Sequence, residues 1–238
     1  MNNNLKNALI NYSGKDRIKQ IKFPKYMNSL LAEEIGIHIG DGFLSLEKSD
    51  FRVKGHKIDE RDYYNNHIKD LYKKLYNINV NLKDYEDTYG FELYSKAIKS
   101  FKTKVLGIKA GKKDNITVPQ IISNNNDNIK IAFLRGLFDT DCNLYFSPKN
   151  GKTNHYPVLS LYQSSRELIF EINRMLINLN FNTRVYQDHR YEGWTICLYG
   201  YNNLFKFIKV IGFNNRKHLI KFELWKQNFP NLYKKWRG

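Results

Sequence analysis

Apolar positions recur at helical spacing in two short runs that resemble each other. Leu30, Leu31, Ala32 and Ile35 lead into Gly36 and Gly40, and Ile131, Ala132, Phe133 and Leu134 lead into Gly136 and Thr140. Each run ends in an aspartate, Asp41 or Asp141, and the two lie 100 residues apart. Strand-like alternation follows each, over 43–47 and 143–147. A repeat at this spacing predicts two similar half-domains in one chain, each delivering one carboxylate. In the first half the pattern predicts a motif helix near 28–40 and strands near 43–48 and 51–56. A helix near 60–76, strands near 79–86 and 90–95, and a helix near 96–106 follow. In the second half it predicts a motif helix near 128–140, strands near 143–147 and 157–162, and a helix near 165–179. Strands near 183–189 and 193–199 and helices near 201–211 and 215–228 complete it. Each half reads αββαββα, an α+β class, with boundaries at 1–24 for a basic N-terminal arm, 25–122 for the first half and 123–238 for the second.

Offset by 105, further positions match: Leu71 with Leu176, Tyr76 with Phe181, Asn77 with Asn182, Val80 with Val185, Leu93 with Leu198, and Gly107 with Gly212. The change from 100 to 105 predicts a five-residue insertion, placed at the turn-forming stretch Ser147 to Lys152. The strands alternate cleanly. Phe51 and Val53 interleave with Arg52, Lys54 and His56; Val80 and Leu82 with Asn79, Asn81, Lys83 and Tyr85. Leu144 and Phe146 interleave with Asn143 and Tyr145; Val185 with Arg184, Tyr186, Asp188 and Arg190. One face therefore suits a core and the other, with Ser45 and Glu47, a ligand. Such side chains suit phosphates and base edges in a DNA major groove. A solvated sheet face is the plainer alternative. At this offset the polar faces differ: Asn79 stands against Arg184, Asn81 against Tyr186, Lys83 against Asp188 and Tyr85 against Arg190.

The motif chemistry follows from the spacing. Small residues four apart share one helix face and let two helix backbones approach. Packing the motif helices through Gly36/Gly40 and Gly136/Thr140 makes Asp41 and Asp141 neighbours. Two carboxylates at two negative helix ends repel unless a cation joins them. A hard divalent ion answers this, and with a DNA phosphate it makes a site for phosphodiester hydrolysis. A single Gly-Asp-Gly is ordinarily a turn, but two copies in matching context change that balance.

On these segments, Glu34 to Gly42 and Leu134 to Cys142, the chain resembles the LAGLIDADG homing endonucleases in their single-chain, two-motif form, of archaeal or organellar intron type. The resemblance covers about residues 25 to 225. It implies two pseudo-symmetric halves whose antiparallel sheets form a DNA-binding saddle, with the motif helices packed at the centre. It implies a monomer that makes a metal-dependent double-strand break in a long asymmetric duplex. Mg²⁺ or Mn²⁺ would be held by Asp41 and Asp141 together with Gly40 and Thr140. The resemblance also implies a lysine from each half, Lys112 (or Lys113) and Lys217, and a water-ordering Gln163, whose first-half counterpart is Ile58, beside Lys57. Two motif positions depart from the family: Cys142 replaces the final Gly, which strains the turn if that position needs a positive φ, and Ile39 replaces the first Asp, which Asp139 retains. Other readings are an RNA-binding intron maturase, with intron RNA as partner, and a cleavage-inactive DNA-binding protein. No Cys or Ser stands at the start and no His-Asn at the end, so the expectation is a freestanding protein rather than a self-splicing segment.

Charge strengthens the polyanion reading. The 238 residues carry 39 Lys and Arg against 23 Asp and Glu, a net charge of +16. Such an excess points to nucleic acid, with a basic surface kept for solubility as the alternative. The 42% hydrophobic share is ample for a core. Cys142 and Cys197 have neither metal nor disulfide spacing, which suggests a reducing compartment, a prokaryotic cytoplasm or an organelle. No apolar run reaches membrane-spanning length and the start lacks a signal-peptide core, so no membrane partner is expected. The abundance of Asn, Lys, Ile and Tyr suits an AT-rich genome.

Overall fold

The structure is a computed structural model that describes residues 4–149, 151–188 and 192–236. The chain forms two compact units. The first takes Met1–Lys112 and Pro119–Thr140, the second Lys113–Val118 and Asp141–Gly238.

The first motif helix, Ser29–Asp41, begins where Asn28 Oδ1 accepts the Leu31 N–H at 2.9 Å. That satisfies one of the four orphan donors of a helix start. Burial runs unbroken from Leu31 to Ile39. A helix buried on every side belongs at a centre, not on a surface. The second motif helix, Asp127–Asp141, begins where Asn126 Oδ1 accepts from Ile129 at 3.2 Å. Through Thr140 it belongs to the first unit, where it crosses the first motif helix. A Cβ on Gly36 would collide with the Phe133 carbonyl oxygen, and one on Gly136 with that of Glu33. The two backbones are in contact there, which only glycine permits. The Thr140 hydroxyl turns back to the Leu137 carbonyl at 3.0 Å, so it is bonded within its own helix.

The first sheet has β1 (Gly42–Leu44), β2 (Asp50–His56), β3 (Lys83–Asp84) and β4 (Thr88–Tyr94) in the order β1-β2-β4-β3. The second has β5 (Cys142–Ser147), β6 (Tyr156–Gln163), β7 (Thr183–Asp188) and β8 (Gly193–Tyr199) in the order β5-β6-β8-β7. All neighbours are antiparallel. Leu44, Phe51, Val53 and Phe91 face the first core; Leu144, Leu159, Leu161 and Ile196 face the second. The predicted strands 43–48 and 79–86 prove much shorter. The Ser45 N–H already closes a turn onto the Asp50 carbonyl at 3.0 Å, and only Lys83 and Asp84 join the ladder of β4.

The register revises how the halves correspond. Gly42 pairs with Val53 and Cys142 with Leu161, so β2 and β6 match at an offset of 108. Val53 pairs with Phe91 and Leu161 with Ile196, which restores 105 for β4 and β8. Gly107 and Gly212, at φ 73° and 72°, hold that 105. The single five-residue insertion is therefore a correction: the β5–β6 hairpin is eight residues longer than the β1–β2 hairpin, and a net three residues are lost between β6 and β8. The helix behind the first sheet runs Arg61–Tyr63, one π turn over Tyr64–Ile68, then Lys69–Tyr76, and ends on left-handed Asn77. Its partner, Arg166–Asn178, is followed by left-handed Asn180. Asn77 thus corresponds to Asn180, not to Asn182.

The chain before the first motif helix folds onto the first unit. Leu5, Ile10, Ile21 and Met27 are buried there. Phe23 packs on Phe101 with ring centroids 4.5 Å apart. Asp16 closes a capping box with Ser13 and accepts the Ala97 N–H at 3.3 Å, which ties the two segments together. Burial raises the Asp16 pKa, but hydrogen bonds from Ser13, Ser95 and Ala97 outweigh it and leave the pKa below its ordinary value. A carboxyl depressed in the folded state adds stability that is fully present above its unfolded pKa. Acid titration of unfolding is therefore expected to show Asp16→Asn less stable than the parent near neutral pH by about 1–3 kcal/mol. The gap narrows as pH falls through the folded pKa, and a constant gap would contradict the assignment. Short helices at Gln120–Ser123 and Pro230–Trp236 complete the fold. Neither is periodic enough to be read from the sequence. Among the described residues no helix is long and apolar enough to cross a membrane.

Candidate active site and sheet faces

The two motif aspartates are braced by neutral donors. In the first unit the Tyr64 hydroxyl donates to Asp41 Oδ2 at 2.7 Å. Its neighbour Tyr63 donates to Asp139 Oδ2 at 3.4 Å. The π turn that begins at Tyr64 puts these consecutive phenols at the ends of both motif helices. In the second unit the Gln163 amide donates to Asp141 Oδ2. Burial first, and then the adjacent carboxylates, push both tyrosine pKa values well up, so the phenols remain donors. Asp139, which retains the motif's first Asp, is fully buried, and Ile39 fills the matching position with an apolar side chain. The turn after the helix is not strained by Cys142. Gly42 has φ −82°, an extended backbone open to any residue. Glycine at 42 answers space rather than φ, because a Cβ there would collide with the His38 ring and with the His38 carbonyl oxygen.

The two lysines sit in unlike surroundings. Lys112 is exposed on a loop pinned to the first sheet by the Gly111 N–H, 2.8 Å from the Leu44 carbonyl. Lys113 is half-buried and belongs to the second unit. Lys217 is half-buried in the first turn of helix Arg216–Asn228, its N–H 3.1 Å from the capping Asn215 Oδ1. The register places Gly55, not Ile58, opposite Gln163 in the two-fold correspondence. Ile58 is 78% exposed on the following turn, so that expected counterpart is corrected.

The polar face of the first sheet is charged. Arg52 forks onto Asp50 Oδ2 at 3.0 and 2.8 Å and lies over the Phe43 ring. Lys54 reaches Glu92 at 2.6 Å and sits 3.3 Å from the Tyr85 ring centroid. The Lys54 hydrogen bond draws the Glu92 carboxyl below its usual range. His56 faces Asp59 at 3.3 Å. Ser45 is half-buried, its Oγ accepting the Lys48 N–H at 3.1 Å, whereas Glu47 is exposed on the turn and off the ladder. Asn79 and Asn81 are exposed but precede β3, so Lys83 and Tyr85 alone extend the face beside β4.

The face of the second sheet is aromatic. Asn143, Ser160, Cys197 and Arg184 lie in one cross-strand row, flanked by Tyr145 and Tyr199 on one side and Tyr162 and Tyr186 on the other. The Tyr186 hydroxyl is 3.5 Å from Cys197 Sγ. Burial, then hydrogen bonding to Cys197, pushes Tyr199 up to about 12. Arg184 lies over the Tyr199 ring at 5.8 Å. Lys221 reaches Asn143 Oδ1 at 3.4 Å. At the far end a cavity of about 350 Å³ is lined by Lys149, Tyr156, Asn182, Arg184, Tyr199 and Asn203. Asp188 ends β7, and Arg190 lies outside the described residues. The register also corrects the cross-comparison of faces. Lys83 opposes Gly90 and Tyr186 opposes Thr195, so Lys83 corresponds to Tyr186 and Asn81 to Arg184. The sequence reading missed Tyr64, Phe43, Glu92, Tyr162, Cys197 and Tyr199. The strand alternation flags all but Tyr64 once the register is known.

A model of the LAGLIDADG-like domain matches residues 128–220. I-DmoI bound to DNA and Mn is 19% identical and covers 77% of this chain and 96% of that one, with a TM-score of 0.55. The chain has the LAGLIDADG fold. A variant of I-SmaMI is 12% identical and covers 84% of this chain and 90% of that one, with a TM-score of 0.59. The N-terminal LAGLIDADG domain of WhiA is 11% identical, over 86% and 92%, with a TM-score of 0.51. The LAGLIDADG resemblance read from the two motif segments is borne out, as is the α+β class with its two four-stranded sheets. Two curated proteins of Methanocaldococcus jannaschii are also similar. The replication factor C small subunit is 27% identical over 246 residues, 96% of this chain. The isomerizing glutamine–fructose-6-phosphate aminotransferase is 27% identical over 122 residues, 51% of this chain. The chain spans only 12% and 11% of those proteins.

Proposed function

We propose that this chain is a site-specific, divalent-metal-dependent DNA endonuclease that cuts both strands of a long asymmetric duplex. One observation carries the reading: each motif helix ends in a carboxylate, Asp41 or Asp141, oriented by a hydrogen bond from Tyr64 or Gln163. Metal-ligating carboxylates are held in this way. Among the described residues no three His, Cys, Asp or Glu side chains gather as a metal group. Mg²⁺ takes few carboxylates and completes its shell with water and phosphate. Hard carboxylate oxygens fit Mg²⁺ or Mn²⁺, with Gly40 and Thr140 as neighbouring donors. When bound, the ion supplies charge for the phosphate oxygens and a nucleophilic water.

The protein's own groups do the rest. Tyr64 and Gln163 fix the carboxylates, and Lys112 and Lys217 supply positive charge beside the phosphate. Arg52, Lys54, Lys83 and Tyr85 meet one half of the duplex; Asn143, Tyr145, Arg184 and Tyr186 meet the other. His56, Asn79, Asn81, Ser45, Glu47 and Asp188 extend these contacts. Because the faces differ, one chain reads one asymmetric site, and sedimentation with the duplex should give one chain per site.

The test is incubation with a library of long duplexes and Mg²⁺, scored for double-strand breaks at one sequence. Binding without breaks would instead favour a DNA-binding protein of the same fold. Binding to structured RNA in preference to every duplex would favour an intron maturase. With a net charge of +16, duplex affinity should fall with salt at a log–log slope of about −5 or steeper. A flat response in filter binding would contradict phosphate contacts on these faces.

A further inference from the structure

The two halves brace their aspartates from different places in the fold. Gln163 reaches Asp141 from the last position of β6. At the corresponding position of β2 stands Gly55, which has no side chain to offer. Nor is there room for one. A Cβ on Gly55 would lie 2.8 Å from Asp41 Oδ2 and 2.8 Å from the Tyr64 ring, and would collide with Glu60 Oε2. The space a strand amide would occupy is filled by two side chains from the next segment. Glu60 is buried and accepts the His56 N–H at 2.6 Å. Tyr64 sends its hydroxyl to Asp41 at 2.7 Å.

We propose that Tyr64 is the positioning residue for Asp41, acting from the helix as Gln163 acts on Asp141 from the strand, with Gly55 kept bare to admit it. The inference rests on the endonuclease reading and adds that the two scissile phosphates are served by unlike braces. A phenol on a two-torsion side chain, anchored in a π turn and stacked edge-on against Tyr63, holds its hydroxyl in one place. The Gln163 amide hangs on three torsions.

Strand-labelled duplex carrying the selected target tests this. In Mg²⁺, Tyr64→Phe should slow nicking of one strand by on the order of 10–100-fold, the usual cost of removing a group that orients a metal ligand. Gln163→Ala should slow the other strand, and duplex affinity should be unchanged in both. Gly55→Ala should reproduce the Tyr64→Phe strand bias by displacing the phenol. A Tyr64→Phe variant that slows both strands equally, or neither, overturns the proposal, since a purely structural loss carries no strand preference. If the parent cuts no duplex, the endonuclease reading fails, and Mn²⁺ binding followed by electron paramagnetic resonance decides instead. Tyr64→Phe should then weaken one class of Mn²⁺ site and spare the other, and an unaltered Mn²⁺ titration overturns the proposal.

Discussion

Asp41→Asn and Asp141→Asn are each expected to leave duplex binding intact and to lower metal-dependent cleavage by on the order of 10³-fold, because the charge stabilisation a metal supplies is worth several kcal/mol. The substitution isolates charge from shape. An Asn oxygen still accepts from the Tyr64 hydroxyl or the Gln163 amide, so each brace survives. The helix crossing at Gly36 and Gly136 is untouched, since it depends on backbone approach and not on the helix ends. What goes is the negative oxygen that a hard cation requires. The measurement pairs gel-shift affinity with single-turnover cleavage of the selected duplex in Mg²⁺. A doubly substituted chain that cuts at the parent rate would sink the mechanism. A chain that loses affinity as well would show that the aspartates hold the fold.

Much of this architecture is legible in the chain because its signals are local. The motif helices carry their own caps in Asn28 and Asn126, apolar positions at helical spacing and crossing glycines. The strand faces announce themselves by alternation around Val53 and Val185. Correspondence between the halves is less local, and there the reading slips. An eight-residue extension of one hairpin and a net three-residue loss after it look like a single insertion of five, so matches further along at an offset of 105 conceal an offset of 108 at β2. That concealment assigned Ile58 as the partner of Gln163 and hid Gly55. Tyr64 could not be read as a brace at all. In the helical pattern it is one more aromatic among Tyr63, Tyr72 and Tyr76, and only the π turn directs it to Asp41.

The other large effect concerns a charge inside the first core. Glu34→Leu is expected to destabilise the protein by about 3–5 kcal/mol, the range for breaking a fully buried ion pair from one side. Glu34 and Lys102 are both fully buried. Lys102 Nζ bonds both carboxylate oxygens, and Tyr72 and Tyr76 donate to the same two oxygens at 2.5 and 2.9 Å. Burial lowers the Lys102 pKa, with Glu34 opposing that shift, and raises both phenols. Removing Glu34 leaves an ammonium in a pocket walled by Phe51 and two unbonded hydroxyls. The second motif helix carries Leu134 at the equivalent place, and Phe207 stands where Lys102 would, both fully buried, so an apolar solution to this position exists within the same chain. Lys102→Met added to Glu34→Leu should therefore recover part of the loss, because no charge is then left in the core. The two phenols keep the double variant below the parent, at about 1–3 kcal/mol for each buried hydroxyl without a partner. Urea unfolding of the parent, both single variants and the double variant gives the coupling directly. A double variant less stable than Glu34→Leu alone would mean that Lys102 contributes through its packing rather than through its pairing with Glu34.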